Sequence, residues 1–333
     1  MTIYIKAISY YLPEKILTNE DIEKEFPEWK AEKVASKIGI RKRHIVAENE
    51  TAADMAVAAA TKLINEYKIE KSDIDFILLC TQSPDYFLPA TACLIQDRLG
   101  LRTDIGALDF NQGCSGFIYG LSLAKGLIHA RLANNVLLIT SETYSKYIHM
   151  GDKSNRSIFG DAAAATLVST DGFAELMNFS LGTDGKGARN LIIETGASRA
   201  LRSGSIVTMD ENGNPVSPDY LYMNGAEILN FTLDTVPLLV KDLLYKNNLL
   251  QNDIDLFVLH QANRFIMEFL RKKLKIEPEK FYYYIENVGN TVSSTIPIAL
   301  KEALMDGTVT KGKKVLLAGF GVGYSWGGTV IKF

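Results

Sequence analysis

The chain has 333 residues, 47% of them hydrophobic, which is enough to bury a large core as one bilobal unit or two ordinary domains and too apolar for a disordered segment. Its 36 basic and 39 acidic residues leave a net charge of −3, so it offers no general field to nucleic acid or an anionic membrane, and any anionic partner must be met by a local patch. Three cysteines, at 80, 93 and 114, are too few and too oddly numbered for a disulfide framework, and none has zinc-site spacing.

The first residues, Met1-Thr-Ile-Tyr-Ile-Lys-Ala-Ile8, alternate like a strand and lack the basic and apolar regions of a signal peptide. No apolar run approaches the roughly 20 residues of a membrane span. A soluble, cytoplasmic protein with no membrane partner is expected. Helical patterns then alternate with short apolar runs: 52–67 then 76–79, 117–131 then 136–139, 228–245 then 256–259, and 296–305 then 315–317. This alternation predicts an α/β protein with mainly parallel pairing in each of two units, their sheets stacked around shared helices. Cys80 ends an apolar run and Cys93 sits in Ala90-Thr-Ala-Cys-Leu-Ile95, so both are expected to be small core residues. The helix after Cys114 carries Phe117, Leu121, Ala124 and Ile128 on one face and three glycines, Gly116, Gly120 and Gly126, elsewhere. Each glycine costs a helix about 1 kcal/mol relative to Ala, which predicts close packing of this helix inside the protein. Over 181–218 the pattern weakens into Gly, Ser, Asn and Arg, including Asp184-Gly-Lys-Gly187 and Asn212-Gly-Asn-Pro215. That region reads as long loops or hairpins able to form the mouth of a site, with a unit boundary near 170–175.

Two stretches repeat. Ser72-Asp-Ile-Asp-Phe-Ile-Leu-Leu-Cys80 is echoed by Asn252-Asp-Ile-Asp-Leu-Phe-Val-Leu-His260, with Asp75 and Asp255 180 positions apart. Asp109-Phe-Asn-Gln-Gly-Cys114-Ser-Gly-Phe leads to a strand from Asn135, as Ile285-Glu-Asn-Val-Gly-Asn290-Thr-Val-Ser leads to one from Lys314. So few and such long repeats imply duplicated units, 1–172 and 173–333, and not a solenoid. Cys114 and Asn290 then occupy equivalent places, and a pseudo-twofold axis points both into one central cavity.

Cys114 follows a glycine and opens a helix, where the dipole and unpaired N–H groups favour the thiolate, so it is a nucleophile candidate. His260 ends an apolar strand before Gln261-Ala-Asn263, at the carboxyl end where α/β ligand sites gather. His44, His129 and His149 read as structural or solvated. Asn290 alone would read as a helix N-cap, and the repeat is what raises it to a site residue. Ala318-Gly-Phe-Gly-Val-Gly-Tyr-Ser-Trp326 lacks the Lys-Ser/Thr and helix of a phosphate loop, but its exposed amides suit an oxyanion hole.

With Cys114, His260-Gln-Ala-Asn263, Gly289-Asn290-Thr and Gly319-Phe-Gly-Val-Gly-Tyr-Ser-Trp326 assembled, the chain resembles the β-ketoacyl-acyl-carrier-protein synthase III family of the thiolase superfamily. The likeness runs from Gly39-Ile-Arg-Lys-Arg-His44 through Phe159-Gly-Asp161 to the terminal Val330-Ile-Lys-Phe333. It implies a thiolase fold, five-layered α-β-α-β-α, in a homodimer. Cys114 would take an acyl group from a thioester, and His260 and Asn290 would stabilise the enolate left when a malonyl thioester loses carbon dioxide. Backbone N–H groups of Cys114 and Val322 would form the oxyanion hole, and Phe320, Leu88 and Gly225 would belong to the substrate pocket. No cofactor is implied; coenzyme A or phosphopantetheine thioesters are substrates and acyl carrier protein is the partner, with no nucleic acid.

Thiolases carry a second Cys in the terminal glycine loop, absent here, and elongating ketosynthases a second His where this chain has Asn290. A priming condensing enzyme of fatty-acid or specialised acyl biosynthesis is therefore expected. In many members a Trp and two Arg clamp the coenzyme A adenine. Here the first two positions fall at Lys33 and Lys37 and the third at Lys153, with Arg156 nearby; Trp29 is out of register. Losing the aromatic platform removes about 1 kcal/mol of cation–π binding, which weakens the case for acetyl-CoA as primer. The carrier-docking Arg two residues after His-Gln-Ala-Asn is Phe265, preceded by Arg264, while Arg271, Lys272, Lys273 and Lys275 form a basic patch able to meet an acidic carrier. Leu88 falls where family dimers push a side chain into the neighbour's acyl pocket, and its compliance predicts primers longer than acetyl. Two alternatives stay open: acyl transfer to a hydroxyl or amine, and a silent partner subunit of a heteromeric synthase, against which the intact Cys-His-Asn set argues.

Overall fold

The computed structural model describes residues 1–202, 204, 207–211 and 213–333; Asn212 of the expected Asn212–Pro215 turn lies outside them. Up to residue 169 the strands are β1 (Tyr4–Tyr11), β2 (Ile16–Thr18), β3 (Lys42–His44), β4 (Phe76–Cys80), β5 (Gly106–Phe110), β6 (Asn135–Glu142) and β7 (Ala162–Ser169). The helices among them are α1 (Asn19–Glu25), α2 (Ala31–Ile38), α3 (Ala52–Tyr67), α4 (Thr91–Leu99), α5 (Gly116–His129) and α6 (Lys153–Ile158). Then come β8 (Ala174–Thr183), β9 (Leu191–Ile192), β10 (Thr208–Met209), β11 (Pro215–Val216), β12 (Tyr222–Met223), α7 (Gly225–Lys246), β13 (Leu256–Leu259), α8 (Arg264–Lys273), α9 (Thr295–Met305), β14 (Lys314–Gly321) and β15 (Ser325–Lys332).

The strand order β13-β14-β15-β8-β1-β7-β6-β4-β5 joins two groups of strands through a short β1–β8 pairing. Alternation along each strand explains the layering. Leu78, Leu138 and Val168 on one face, with Val258, Leu317 and Ile331 from the second group, enclose α5 and α9 in a shared apolar core. The opposite faces meet different helices: Ile77, Leu79 and Ile139 pack on α3 and α4, and Phe257, Leu259 and Leu316 on α7 and α8. Each group of strands is thus buried on both faces, which gives five layers, helix–sheet–helix–sheet–helix.

The repeat has a local cause. Asp75 accepts the N–H groups of Asn134 and Asn135 at 2.7 and 3.0 Å, and Asp255 accepts that of Lys314 at 2.9 Å, so each carboxylate starts the neighbouring strand. Phe76 then pairs with Val136, and Leu256 with Val315, both in parallel. The expectation of mainly parallel pairing is overturned, because only β4–β5, β4–β6 and β13–β14 in this sheet are parallel, while β1, β7, β8 and β15 pair antiparallel. Helix α5 is closely packed inside the protein, as its glycines led one to expect, and two of the three glycines stand at the contacts. A Cβ on Gly116 would lie 2.2 Å from Cys80 Sγ and one on Gly120 2.4 Å from Leu138, but Gly126 has nothing within 4 Å. Cys80 is buried as expected, whereas Cys93 is exposed, because α4 buries Thr91, Ala92, Ile95 and Leu99 on the other side of the helix. The 181–218 region contains the short pairs β10–β11 and, with β12, β9–β12.

Candidate active site

Cys114 sits two residues before α5, at the carboxyl end of the first strand group, with only 6% of its surface exposed. Strand β14 runs against it so closely that a Cβ on Gly319 would lie 2.6 Å from the Cys114 carbonyl oxygen, and one on Gly321 2.9 Å from its sulfur. Glycine is required there because any side chain would displace the nucleophile. The hairpin after β14 brings the Val322 N–H to the sulfur, where it joins the N–H of Cys114 itself. Those two donors favour the thiolate, but burial and the buried carboxyl of Glu142 outweigh them and push the thiol up to about 12. The lowered pKa expected from the helix start is thereby corrected: in the free protein the thiol is protonated at neutral pH.

Glu142 ends β6 fully buried and is itself pushed up to about 8 by burial. It accepts the Gln82 N–H at 3.0 Å and hydroxyl hydrogens from Ser83 and Ser293, both at 3.2 Å. Alkylation of Cys114 by iodoacetamide is therefore expected to keep accelerating above pH 9, and Glu142→Gln to move the profile to lower pH. The sign follows from removing a carboxylate that, ionised above about pH 8, opposes the thiolate. Superimposable profiles for the two proteins would show that the carboxyl and thiol are uncoupled.

His260 follows β13 and is 2% exposed. Its Nδ1 lies 2.8 Å from Thr295 Oγ1, and burial pulls the imidazole down to about 3, so it is neutral. Phe320 meets the ring edge-on, with centroids 5.8 Å apart. Asn290 is held through its backbone: its N–H donates to the Ile158 carbonyl at 2.9 Å, and its own carbonyl accepts from Gly160 at 3.0 Å. Gly289 before it has φ +71, where a Cβ would lie 2.9 Å from that same Ile158 oxygen. The Asn290 Oδ1 accepts the Val292 N–H at 2.9 Å, which orients the amide and leaves its Nδ2 hydrogens for the cavity. The cap of α9 is instead Ser294, so the N-cap role does not fall to Asn290.

Cys114, His260 and Asn290 line one cavity of about 180 Å³, together with Phe320 and Gly225. Its walls are largely apolar, with Ile158, Leu191, Met223 and Ile228 among them. Cys114, His260 and Asn290 converging in a largely apolar pocket suit covalent acyl transfer followed by stabilisation of an oxyanion.

Comparison with known proteins shows the family. The sequence model of 3-oxoacyl-[acyl-carrier-protein] synthase III matches residues 108–185, and that of its C-terminal part residues 244–333. The β-ketoacyl-[acyl-carrier-protein] synthase III of Fusobacterium nucleatum is 35% identical over 100% of this chain and 99% of its own. That of Campylobacter jejuni is 37% identical over 99% and 97%. A crystal structure of a 3-oxoacyl-(acyl-carrier-protein) synthase III, 48% identical and covering 100% of both chains, superposes with a TM-score of 0.98. The chain belongs to the 3-oxoacyl-(acyl-carrier-protein) synthase III family.

Of the basic residues that the resemblance offered for carrier or coenzyme A binding, the structure engages several internally. Arg156 is buried and holds Glu25 bidentately at 2.6 and 2.9 Å, as well as the Met150 carbonyl. Lys153 is buried over the Phe26 and Trp29 rings, 3.6 Å from Glu28. Neither is presented at the surface, because Glu25 and Glu28, more than 120 residues earlier, neutralise them. Arg271 is paired with Glu268 at 3.0 Å. Lys33, Lys37, Arg264, Lys272 and Lys273 are exposed, on α2 and α8, which pack together; Arg264 stacks over Tyr283 and Lys273 lies 3.8 Å from Asp234. Leu88, on an exposed loop with Tyr86 and Phe87, does not line the cavity of its own chain. His44 Nδ1 contacts the Pro13 carbonyl, His149 accepts from Gly151, and His129 is exposed. Sequence reasoning passed over Thr295 and Glu142. An acidic residue closing an otherwise uncharged strand was the available signal for Glu142, and Thr295 gave none.

Proposed function

We propose that this protein catalyses decarboxylative condensation of an acyl thioester with malonyl-acyl-carrier protein through an acyl group on Cys114. The observation that carries this is the convergence of Cys114, His260 and Asn290 on one cavity, with two backbone N–H groups aimed at the sulfur. Cys114 sulfur attacks the primer carbonyl, and the N–H groups of Cys114 and Val322 hold the oxyanion. The carrier thiolate then leaves and takes up the proton given up by Cys114. In the second step the malonyl thioester oxygen accepts hydrogen bonds from His260 Nε2 and Asn290 Nδ2. The bond to the carboxylate breaks, carbon dioxide departs, and its electron pair forms an enolate. The enolate carbon attacks the acyl carbonyl, the bond to the Cys114 sulfur breaks, and 3-oxoacyl carrier protein leaves while the departing Cys114 thiolate takes a proton from solvent to regenerate the thiol.

Malonate's charge is poorly solvated beside Phe320, which favours loss of carbon dioxide. The exposed cations Lys33, Lys37, Arg264, Lys272 and Lys273 supply the local patch that an acidic carrier protein requires of a chain with net charge −3. The same reading divides the chain at residue 172 into thiolase-like units, one giving Cys114 and the other His260 and Asn290, supported by the equivalent Asp75 and Asp255 contacts. It also makes the chain a homodimer. Tyr86, Phe87 and Leu88 are 61, 85 and 82% exposed, and edge strand β5 carries an exposed Leu108, surfaces that a second copy would cover. Among the described residues no helix is long and apolar enough to cross a membrane.

Intact-protein mass spectrometry tests the reaction with a panel of acyl-CoA and acyl-carrier-protein donors, followed by malonyl carrier protein. An acyl adduct that disappears as 3-oxoacyl product forms is expected, and the donor that gives it identifies the primer. An adduct indifferent to malonyl carrier protein would point to another acceptor, and no adduct from any donor would refute catalysis.

A further inference from the structure

Thr295 opens α9, five residues after Asn290, and is 2% exposed. Its hydroxyl has one hydrogen and two acceptors in reach: His260 Nδ1 at 2.8 Å and the Val292 carbonyl at 3.0 Å. The choice between them decides the chemistry of the histidine. A neutral imidazole has one N–H, so a hydrogen received at Nδ1 requires the ring hydrogen to sit on Nε2. With the hydroxyl turned to Val292, Nδ1 would carry the hydrogen and Nε2 would turn a lone pair to the cavity. The cavity would then offer the enolate oxygen one side-chain donor, Asn290 Nδ2, and a repelling lone pair.

We propose that Thr295 is the positioning residue of His260: its hydroxyl donates to Nδ1 and so keeps the ring hydrogen on Nε2, the donor the enolate oxygen needs. The inference rests on the condensation reading above. It makes the segment 290–295 supply both donors, Asn290 directly and His260 through Thr295, so one stretch of chain sets their relative placement. No proton is gained or lost in the step, because Nε2–H donates to the oxygen as charge develops there and keeps its hydrogen.

Three proteins test it: wild type, Thr295→Val, which keeps the shape without the hydroxyl, and Thr295→Ser, which keeps the hydroxyl. Long-range ¹⁵N NMR of His260 in the wild type is expected to show the Nε2–H tautomer, and Nδ1–H would overturn the proposal. In Thr295→Val, malonyl decarboxylation is expected to fall about tenfold or more while acylation of Cys114 proceeds at the wild-type rate, with Thr295→Ser restoring decarboxylation. Equal losses in both steps, or no loss, would overturn it. A wild type that took no acyl group and released no carbon dioxide would overturn the functional reading alone, since the tautomer is read separately.

Discussion

Cys114→Ala is expected to abolish the acyl adduct and to lower condensation by about 10³-fold or more, because among the described residues no other thiol lines the cavity to carry the acyl chain. The fold should survive. The substitution removes one buried sulfur, at a cost of about 1 kcal/mol, and leaves the approach of Gly319 and Gly321 unstrained. Thermal unfolding and the malonyl-dependent appearance of product would be measured together, so that loss of activity is separated from loss of structure. Cys80 is no substitute, since it is fully buried behind Gly116 and donates to the Gln112 carbonyl at 3.0 Å. Cys93 is exposed and could trap a reactive thioester by simple surface chemistry. An adduct that persists in Cys114→Ala and still disappears as ketoacyl product would remove Cys114 from the mechanism.

The duplicated plan was legible because its cause is local: an aspartate, an apolar strand and a polar turn do the same work twice, 180 residues apart. Helices α3, α5, α7 and α9 were legible for a related reason, each being long enough to show its period. Strand β7 was not. Its Ala162-Ala-Ala-Ala165 start has the strongest helix propensity of any residue type, and only burial between β1 and β6 makes it a strand. That placement brings the antiparallel pairings that a count of alternating helices and strands could not reveal.

Cys114, His260 and Asn290 could be named from sequence because the repeat and the strand ends mark them. Their electrostatics could not, since the Cys114 shift depends first on how completely the thiol is buried and then on Glu142, which stands on a different strand. The same holds for Arg156 and Lys153, whose charges look available until the fold places Glu25 and Glu28 against them.

His260→Ala and Asn290→Ala are each expected to lower condensation by about 10²- to 10³-fold, the usual loss when one oxyanion donor is removed, while Cys114 still takes up the acyl group. The separation follows from the burial of the imidazole. Pulled down to about 3, His260 is uncharged at neutral pH and cannot hold the sulfur as an ion pair, so acylation relies on the N–H groups of Cys114 and Val322. Decarboxylation depends on both side chains because each supplies one donor to the same developing charge. The double substitution should accordingly cost less than the product of the single losses, as two donors to one oxygen act as a unit. Acyl adduct by intact mass and carbon dioxide release from malonyl carrier protein give the two rates separately. If acylation falls in step with decarboxylation in His260→Ala, the histidine is serving as a base on the thiol. The neutral sulfur of the free protein would then be activated by His260 and not by the backbone donors around it.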